Sequence, residues 1–164
     1  VHDAAMEWVR ERAPLGATSV LDIGGRDVNG SPRRLFPDAV PYRVLDVAAG
    51  IGVDIVADAA TWIPDRTYDV VLCTEVFEHT EAWRAILRTA WEALAPGGTL
   101  VATMAGPGRA EHSAVDGGPL RPGEHYGNIE PLALGKALDR IFGRGRYVVD
   151  QAGSDVRCVA TRGA

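Results

Sequence analysis

The sequence predicts an α/β fold built on a mostly parallel sheet with an antiparallel end, and three features predict it. Short apolar runs end on an acid three times, at Asp22, Asp46 and Asp58. The run at 68–73 is almost continuously apolar, as in parallel strands buried on both faces. The last two strand-like runs, 146–150 and 156–161, are separated by five residues, 151–155. That is too few for the crossover parallel strands demand, so this pair is expected to be antiparallel.

In chain order, 4–12 reads as a helix, with Ala5, Met6, Trp8 and Val9 at helical spacing before Pro14 stops it, either a lid or a packing helix. The first strand, 19–23, leads into Gly24-Gly25, a turn too tight for side chains. The carboxyl end of the first strand is where ligands sit in open α/β sheets. Glycine lets the backbone approach such a ligand and adopt positive φ, and Asp22 can accept a hydrogen bond from an amine or a hydroxyl. A polar loop, 26–30, precedes Ser31-Pro32, an N-cap with proline behind it, and Pro37 ends any helix there within about a turn and a half. Strands follow at 40–46, 54–58 and 68–73. Trp83, Ile86, Leu87, Ala90, Trp91 and Leu94 then recur at three and four, one face of a helix ended by Pro96-Gly97-Gly98. A strand at 99–104 leads to 106–129, where periodicity vanishes, and a loop that long is usually functional or disordered. A last helix starts near Glu130-Pro131 and carries Leu134, Leu138, Ile141 and Phe142 on one side.

Length and composition bound the answer. The 164 residues fit one domain, 1–164, with no room for a separate substrate domain. Apolar residues at 46% speak against disorder, and a net charge of -5 disfavours a nucleic-acid partner. Cys73 and Cys158 lie in apolar runs and read as core residues in a reducing compartment. No apolar run approaches the ~18 residues of a membrane span and no signal peptide opens the chain, so a cytoplasmic address without a membrane partner is expected.

A strand, a glycine turn and an acid on the next strand tip are shared by nicotinamide-binding folds and by the fold that binds S-adenosylmethionine. The dinucleotide fingerprint G-x-G-x-x-G does not fit the run from Gly24 to Gly30, and a third acid plus the antiparallel hairpin point to the methyl donor. With Val20-Leu-Asp-Ile-Gly-Gly25, Tyr42-Arg-Val-Leu-Asp46, Val56-Ala-Asp-Ala59, the stretch 68–79 and Leu94-Ala-Pro-Gly-Gly-Thr-Leu-Val101 in this order, the chain resembles the class I S-adenosylmethionine-dependent methyltransferases, in the group acting on small molecules. The resemblance implies a Rossmann-like doubly wound sheet of about seven strands, the last antiparallel, with helices on both faces. It implies S-adenosylmethionine as cofactor, S-adenosylhomocysteine as product and a small-molecule substrate. Asp22 would then sit near the methionine part with the Gly24 and Gly25 backbone. Asp46, with Val47 beside it, would take the ribose hydroxyls, Asp58 and Ala59 the adenine edge, and Thr74 and Glu75 the methyl-transfer mouth. The chain departs from the family's glycine pattern where Arg26 and Val28 stand. Asn29-Gly30 is expected to supply the positive φ instead, leaving Arg26 or Asp27 to reach the cofactor carboxylate.

Once a sulfonium is held, the protein aligns the acceptor and, for a hydroxyl or ammonium, removes a proton. His79, His112 and His125 are the candidate bases. His79 either packs under the fourth strand or faces the pocket, and the other two lie on the long loop, where a solvated histidine is the alternative. Tyr126 is a substrate contact or a loop anchor. Arg109, with Arg121 and the loop histidines, forms a cationic rim for an anionic substrate or a charged loop that keeps itself soluble. No cysteine–histidine pair has metal-ligand spacing, so no metal is expected, and a carboxylate metal site is not visible from spacing. Two rival readings remain at this point: a nicotinamide-dependent oxidoreductase and a catalytically silent S-adenosylmethionine-binding module.

Overall fold

The computed structural model describes residues 2–28 and 30–164. Its strands are β1 (Val20–Ile23), β2 (Tyr42–Asp46), β3 (Ile55–Val56), β4 (Tyr68–Thr74), β5 (Leu94–Ala105), β6 (Tyr147–Ala152) and β7 (Asp155–Thr161). Together they make one seven-stranded sheet in the order β3-β2-β1-β4-β5-β7-β6. The first five strands are parallel, while β7 runs antiparallel to both β5 and β6. Strand order reverses between β1 and β4, which opens a crevice at their carboxyl ends. The register sets Ile23 beside Leu45 on one side and Cys73 on the other, so the tips of β1, β2 and β4 finish level.

Side-chain alternation divides the sheet into two apolar layers. Leu21, Ile23, Leu45, Val71 and Cys73 pack against α2 (Trp83–Ala93) and α3 (Pro131–Ile141) through Leu87, Ala90, Leu134 and Leu138. On the opposite face Val20, Val44, Val70, Leu72 and Val101 pack against Trp8 and Val9 of α1 (Asp3–Arg12) and against Phe36. Helices therefore cover both faces, and α1 is a packing helix. Asp3 in its first turn and Arg10 and Arg12 in its last complement the helix dipole. No helix among the described residues is long and apolar enough to cross a membrane.

Element boundaries shift where local chemistry competes with pattern. The crossover after β1 is a single 3₁₀ turn, Pro32–Leu35, capped by the Ser31 hydroxyl, which accepts from the Arg33 amide. β3 is shorter than the apolar run suggests, because the Asp54 carboxylate takes the Val44 amide and ends regular pairing on that side. β5 is longer, since Leu94 already pairs with Tyr68 across an irregularity. The final hairpin closes through Gly153-Ser154 alone. Residues 106–129 hold neither helix nor strand, and side-chain bonds order them instead. The Ser113 hydroxyl donates to Glu124 Oε1 at 2.8 Å, the Arg121 amide to Glu124 Oε2 at 2.8 Å, and the Gly127 amide to the Glu78 carbonyl at 2.8 Å.

Candidate active site

Two cavities open at the carboxyl ends of the parallel strands. The first, about 340 Å³, has an apolar floor of Ile23, Leu45 and Ile86 and is edged by Asp46, Val47, Asp58 and Ala59. The second, about 480 Å³, lies under the 106–129 loop and is lined by Thr74, Arg109, His112 and Ser113 among others. Gly24, Arg26, Glu75, His79 and Ala114 line both, so the two spaces join there. Each is large enough for a small-molecule ligand.

The first cavity is shaped by the β1 tip. Gly24 has φ 71, and a Cβ on it would overlap the Val76 side chain, so no other residue fits that turn without strain. Gly25 lies directly over the Asp22 carboxyl, which leaves no room for a side chain there either. Asp22 itself is fully buried and lines neither cavity. Strand alternation turns it to the α1 face, where the Tyr42 hydroxyl donates to its Oδ2 at 2.8 Å. Burial lifts its pKa to about 7 against the opposing pull of that bond. Asp46 is held for presentation, its Oδ1 accepting from the Ala48 amide at 2.9 Å and its Oδ2 from the Arg26 amide at 3.3 Å. The Asp58 carboxylate accepts from the Ala60 amide at 2.8 Å. Gly30 has φ 103, whereas its expected partner in the turn, Asn29, lies outside the described residues. Asp27 stays inside the loop, accepting from the Gly30 amide at 2.9 Å, while Arg26 reaches into the cavities.

At the junction, Glu75 has φ 58, a conformation that costs a non-glycine residue energy and concentrates at functional sites. Its amide donates to the Thr103 carbonyl at 2.8 Å and its Oε1 accepts from the Thr103 hydroxyl at 2.9 Å. Burial alone would raise its pKa, yet His2, Thr103 and Arg109 together hold the carboxyl below its usual value. Arg109 spans Glu75 and Asp155, and Arg121 pairs with Asp116, so the expected cationic rim is largely neutralised by acids.

The profile of the methyltransferase-domain family matches residues 4–141. The chain belongs to that family. Ubiquinone biosynthesis O-methyltransferase of Pseudomonas aeruginosa (strain UCBPP-PA14) is 29% identical over 114 residues, covering 60% of this chain and 49% of that protein. The chain thus spans about half the length of the curated relatives it matches. Among solved structures, the DhpI complex with S-adenosylhomocysteine superposes with a TM-score of 0.71 at 20% identity, over 98% of this chain and 83% of that one. The N-methyltransferase NodS from Bradyrhizobium japonicum WM9, also bound to S-adenosylhomocysteine, gives 0.68 at 17% identity, over 97% and 85%. The fold is therefore that of the class I S-adenosylmethionine-dependent methyltransferases.

Two loops of the methyltransferase domain bring together an aromatic cluster at the second cavity, which His79 and His112 line and Tyr126 does not. His79 closes the 3₁₀ turn Phe77–His79 after β4, and His112 and Tyr126 come from 106–129. Their rings form an edge-to-face cluster with centroids 5.0 Å (His79–His112), 5.5 Å (His79–Tyr126) and 4.9 Å (His112–Tyr126) apart. Burial, then the neighbouring His112, pushes the His79 pKa down to about 4. Burial, then the Glu78 carboxyl, pushes Tyr126 up to about 12. His125 stays outside this cluster, with its Nδ1 3.8 Å from Glu81 on the surface. Val76, Ala114 and Glu78 are parts of the site that spacing did not single out. Val76 was findable as the residue opposing a glycine turn, whereas Ala114 and Glu78 depend on how the loop folds back.

Proposed function

We propose that this chain transfers the methyl group of S-adenosylmethionine to the oxygen of a hydroxyl-bearing small molecule. The observation that carries the reading is the junction of two cavities at Glu75 and His79, one suited to an adenosyl group and the other to an acceptor. The first cavity fits the cofactor on its own terms. Gly24 lines the cavity with backbone alone, because Val76 already fills the space a side chain there would need, while Gly25, packed on the Asp22 carboxyl, lines neither cavity. Asp46 keeps acceptor capacity after its two amide bonds, since a carboxylate offers about four lone-pair directions, enough for two vicinal hydroxyls. Asp58 and Ala59 stand at the same end and suit an amino-bearing base.

When bound, the sulfonium supplies a methyl group already activated for displacement. The protein's share is alignment. In this reading Arg26 and the β1 turn hold the amino-acid end, and Glu75, fixed by Thr103 and Arg109, marks the point where donor and acceptor meet. His79 presents a neutral ring at neutral pH, and Tyr126, whose hydroxyl keeps its proton and has no partner among the described residues, packs edge-to-face against that ring. The O-methyltransferase relatives support oxygen as the receiving atom. The net charge of -5 favours a small molecule over a nucleic acid, and the buried free thiols Cys73 and Cys158 agree with a reducing, cytoplasmic setting.

Calorimetry with S-adenosylhomocysteine is expected to show one site per chain, and incubation of the donor with a panel of phenolic and aliphatic alcohols is expected to release S-adenosylhomocysteine. Binding without turnover across the panel would favour a silent donor-binding module. Binding of a reduced nicotinamide in place of the donor product would overturn the reading.

A further inference from the structure

Glu78 is fully buried in the turn after β4, and neither of its carboxylate oxygens has a hydrogen-bond partner among the described residues. A buried carboxyl left so is costly, and such a group calls for a partner. The Nδ1 of His79 beside it is also buried and unpartnered. His112 arrives from the 106–129 loop, and one ligand atom from each of Glu78, His79 and His112 lies within 4.8 Å of the others. The loop is tied to this turn by the Gly127 amide bonding the Glu78 carbonyl at 2.8 Å. His112 is also set in one tautomer. Its Nδ1 lies 3.1 Å from the Ala110 carbonyl, which can only accept, so Nδ1 carries the proton and Nε2 keeps a free lone pair. That is the outer hydrogen bond metal-bound imidazoles typically make.

We propose that Glu78, His79 and His112 bind a divalent transition-metal ion of the zinc class. Two imidazoles and one carboxylate suit zinc and its neighbours, whereas magnesium and calcium take oxygen ligands. Bonds of roughly 2.0–2.1 Å place tetrahedral ligands roughly 3.3 Å apart. The donors therefore close in by about 1.5 Å at most, a movement within reach of a partly exposed loop histidine. Three protein ligands leave open coordination toward the second cavity, which His79 and His112 line. With the ion bound, an acceptor hydroxyl would take that position and give its proton to solvent more readily, as metal-bound water does, and its oxygen would then take the methyl group as the sulfonium S–C bond breaks and S-adenosylhomocysteine leaves. This use rests on the methyl-transfer reading, while binding of the ion does not.

The test uses the full chain stripped with a chelator, with Co²⁺ titrated by visible absorption and Zn²⁺ by calorimetry. One equivalent per chain with micromolar or tighter affinity is expected, and Glu78→Gln and His112→Ala should each weaken it at least tenfold. Should Glu78→Gln fail to fold, His112→Ala carries the test, because its site is partly exposed on a loop. No stoichiometric binding, or unchanged affinity in His112→Ala, overturns the proposal. S-adenosylhomocysteine binding to the same stripped protein reads the donor pocket separately, so a failed donor site and a failed metal site give different results.

Discussion

Around the first cavity the polar groups stand at or just past strand ends, with Asp46 at the tip of β2 and Asp58 just beyond β3, each fixed by backbone amides. Around the second, beyond Thr74, Glu75 and His79 at and just past the end of β4, they stand on residues 106–129, a segment without regular structure held by bonds such as Ser113 to Glu124 and Arg109 to Asp155. A strand tip inherits its position from the cooperative sheet. A loop residue inherits its position from a few side-chain contacts, each contributing about 1 kcal/mol. The donor half should therefore resist change until its own turn is broken, and the acceptor half should be tunable piece by piece.

The largest expected effect lies beneath the donor half. Asp22 titrates near 7 in the folded chain against 3.8 as a free side chain, because burial disfavours its charge. A raised carboxyl pKa means the folded state holds the proton longer. The stability this group confers is thus complete below about pH 4, declines as pH rises through about 7, and is flat above. The decline is on the order of 4 kcal/mol. Asp22→Asn, neutral at every pH, should lack this part of the decline, which denaturant melts of both proteins at pH 5 and pH 8 would reveal. Since Asp22 lines no cavity, the variant should also keep its S-adenosylhomocysteine affinity within a few-fold, and a large loss would make Asp22 a direct contact.

Next in size is the β1 turn. Gly24→Ala places a Cβ into the Val76 side chain at a φ of 71. We expect at least a 100-fold loss of S-adenosylhomocysteine affinity, about 3 kcal/mol, with the fold retained by circular dichroism. Asp46→Ala should follow at tenfold or more, about 1.4 kcal/mol, and retention within twofold would remove Asp46 from the site.

What could be read in the sequence tracks the same division. Parallel strands, the antiparallel end and the acids at 46 and 58 are local signals of period and punctuation, and the structure has the sheet in that form. Asp22 shows how far such signals reach. Its strand was legible, yet the same alternation that buries Leu21 and Ile23 under α2 and α3 turns Asp22 toward Tyr42 and away from the cavity. The cluster of Glu78, His79, His112 and Tyr126 was not legible as a unit. Its members come from two loops, and only the path of an aperiodic segment brings them together. His125, equally plausible by type and position, ends beside Glu81.

The smallest expected effect sharpens the comparison most. Arg109 joins the loop to Glu75 and Asp155, with a side chain about one-quarter exposed. Arg109→Met keeps most of the stem and removes the charge, so the cost in stability should be about 1 kcal/mol or less and should shrink as salt is added. Freed from one anchor, the loop should hold the acceptor less well and raise its KM several-fold. Donor-product affinity should stay within twofold, because Arg109 lines only the second cavity. Calorimetry and initial rates on the one variant separate these outcomes. If its S-adenosylhomocysteine affinity falls as far as that of Asp46→Ala, Glu75 transmits loop position into the donor site, and the two cavities work as one.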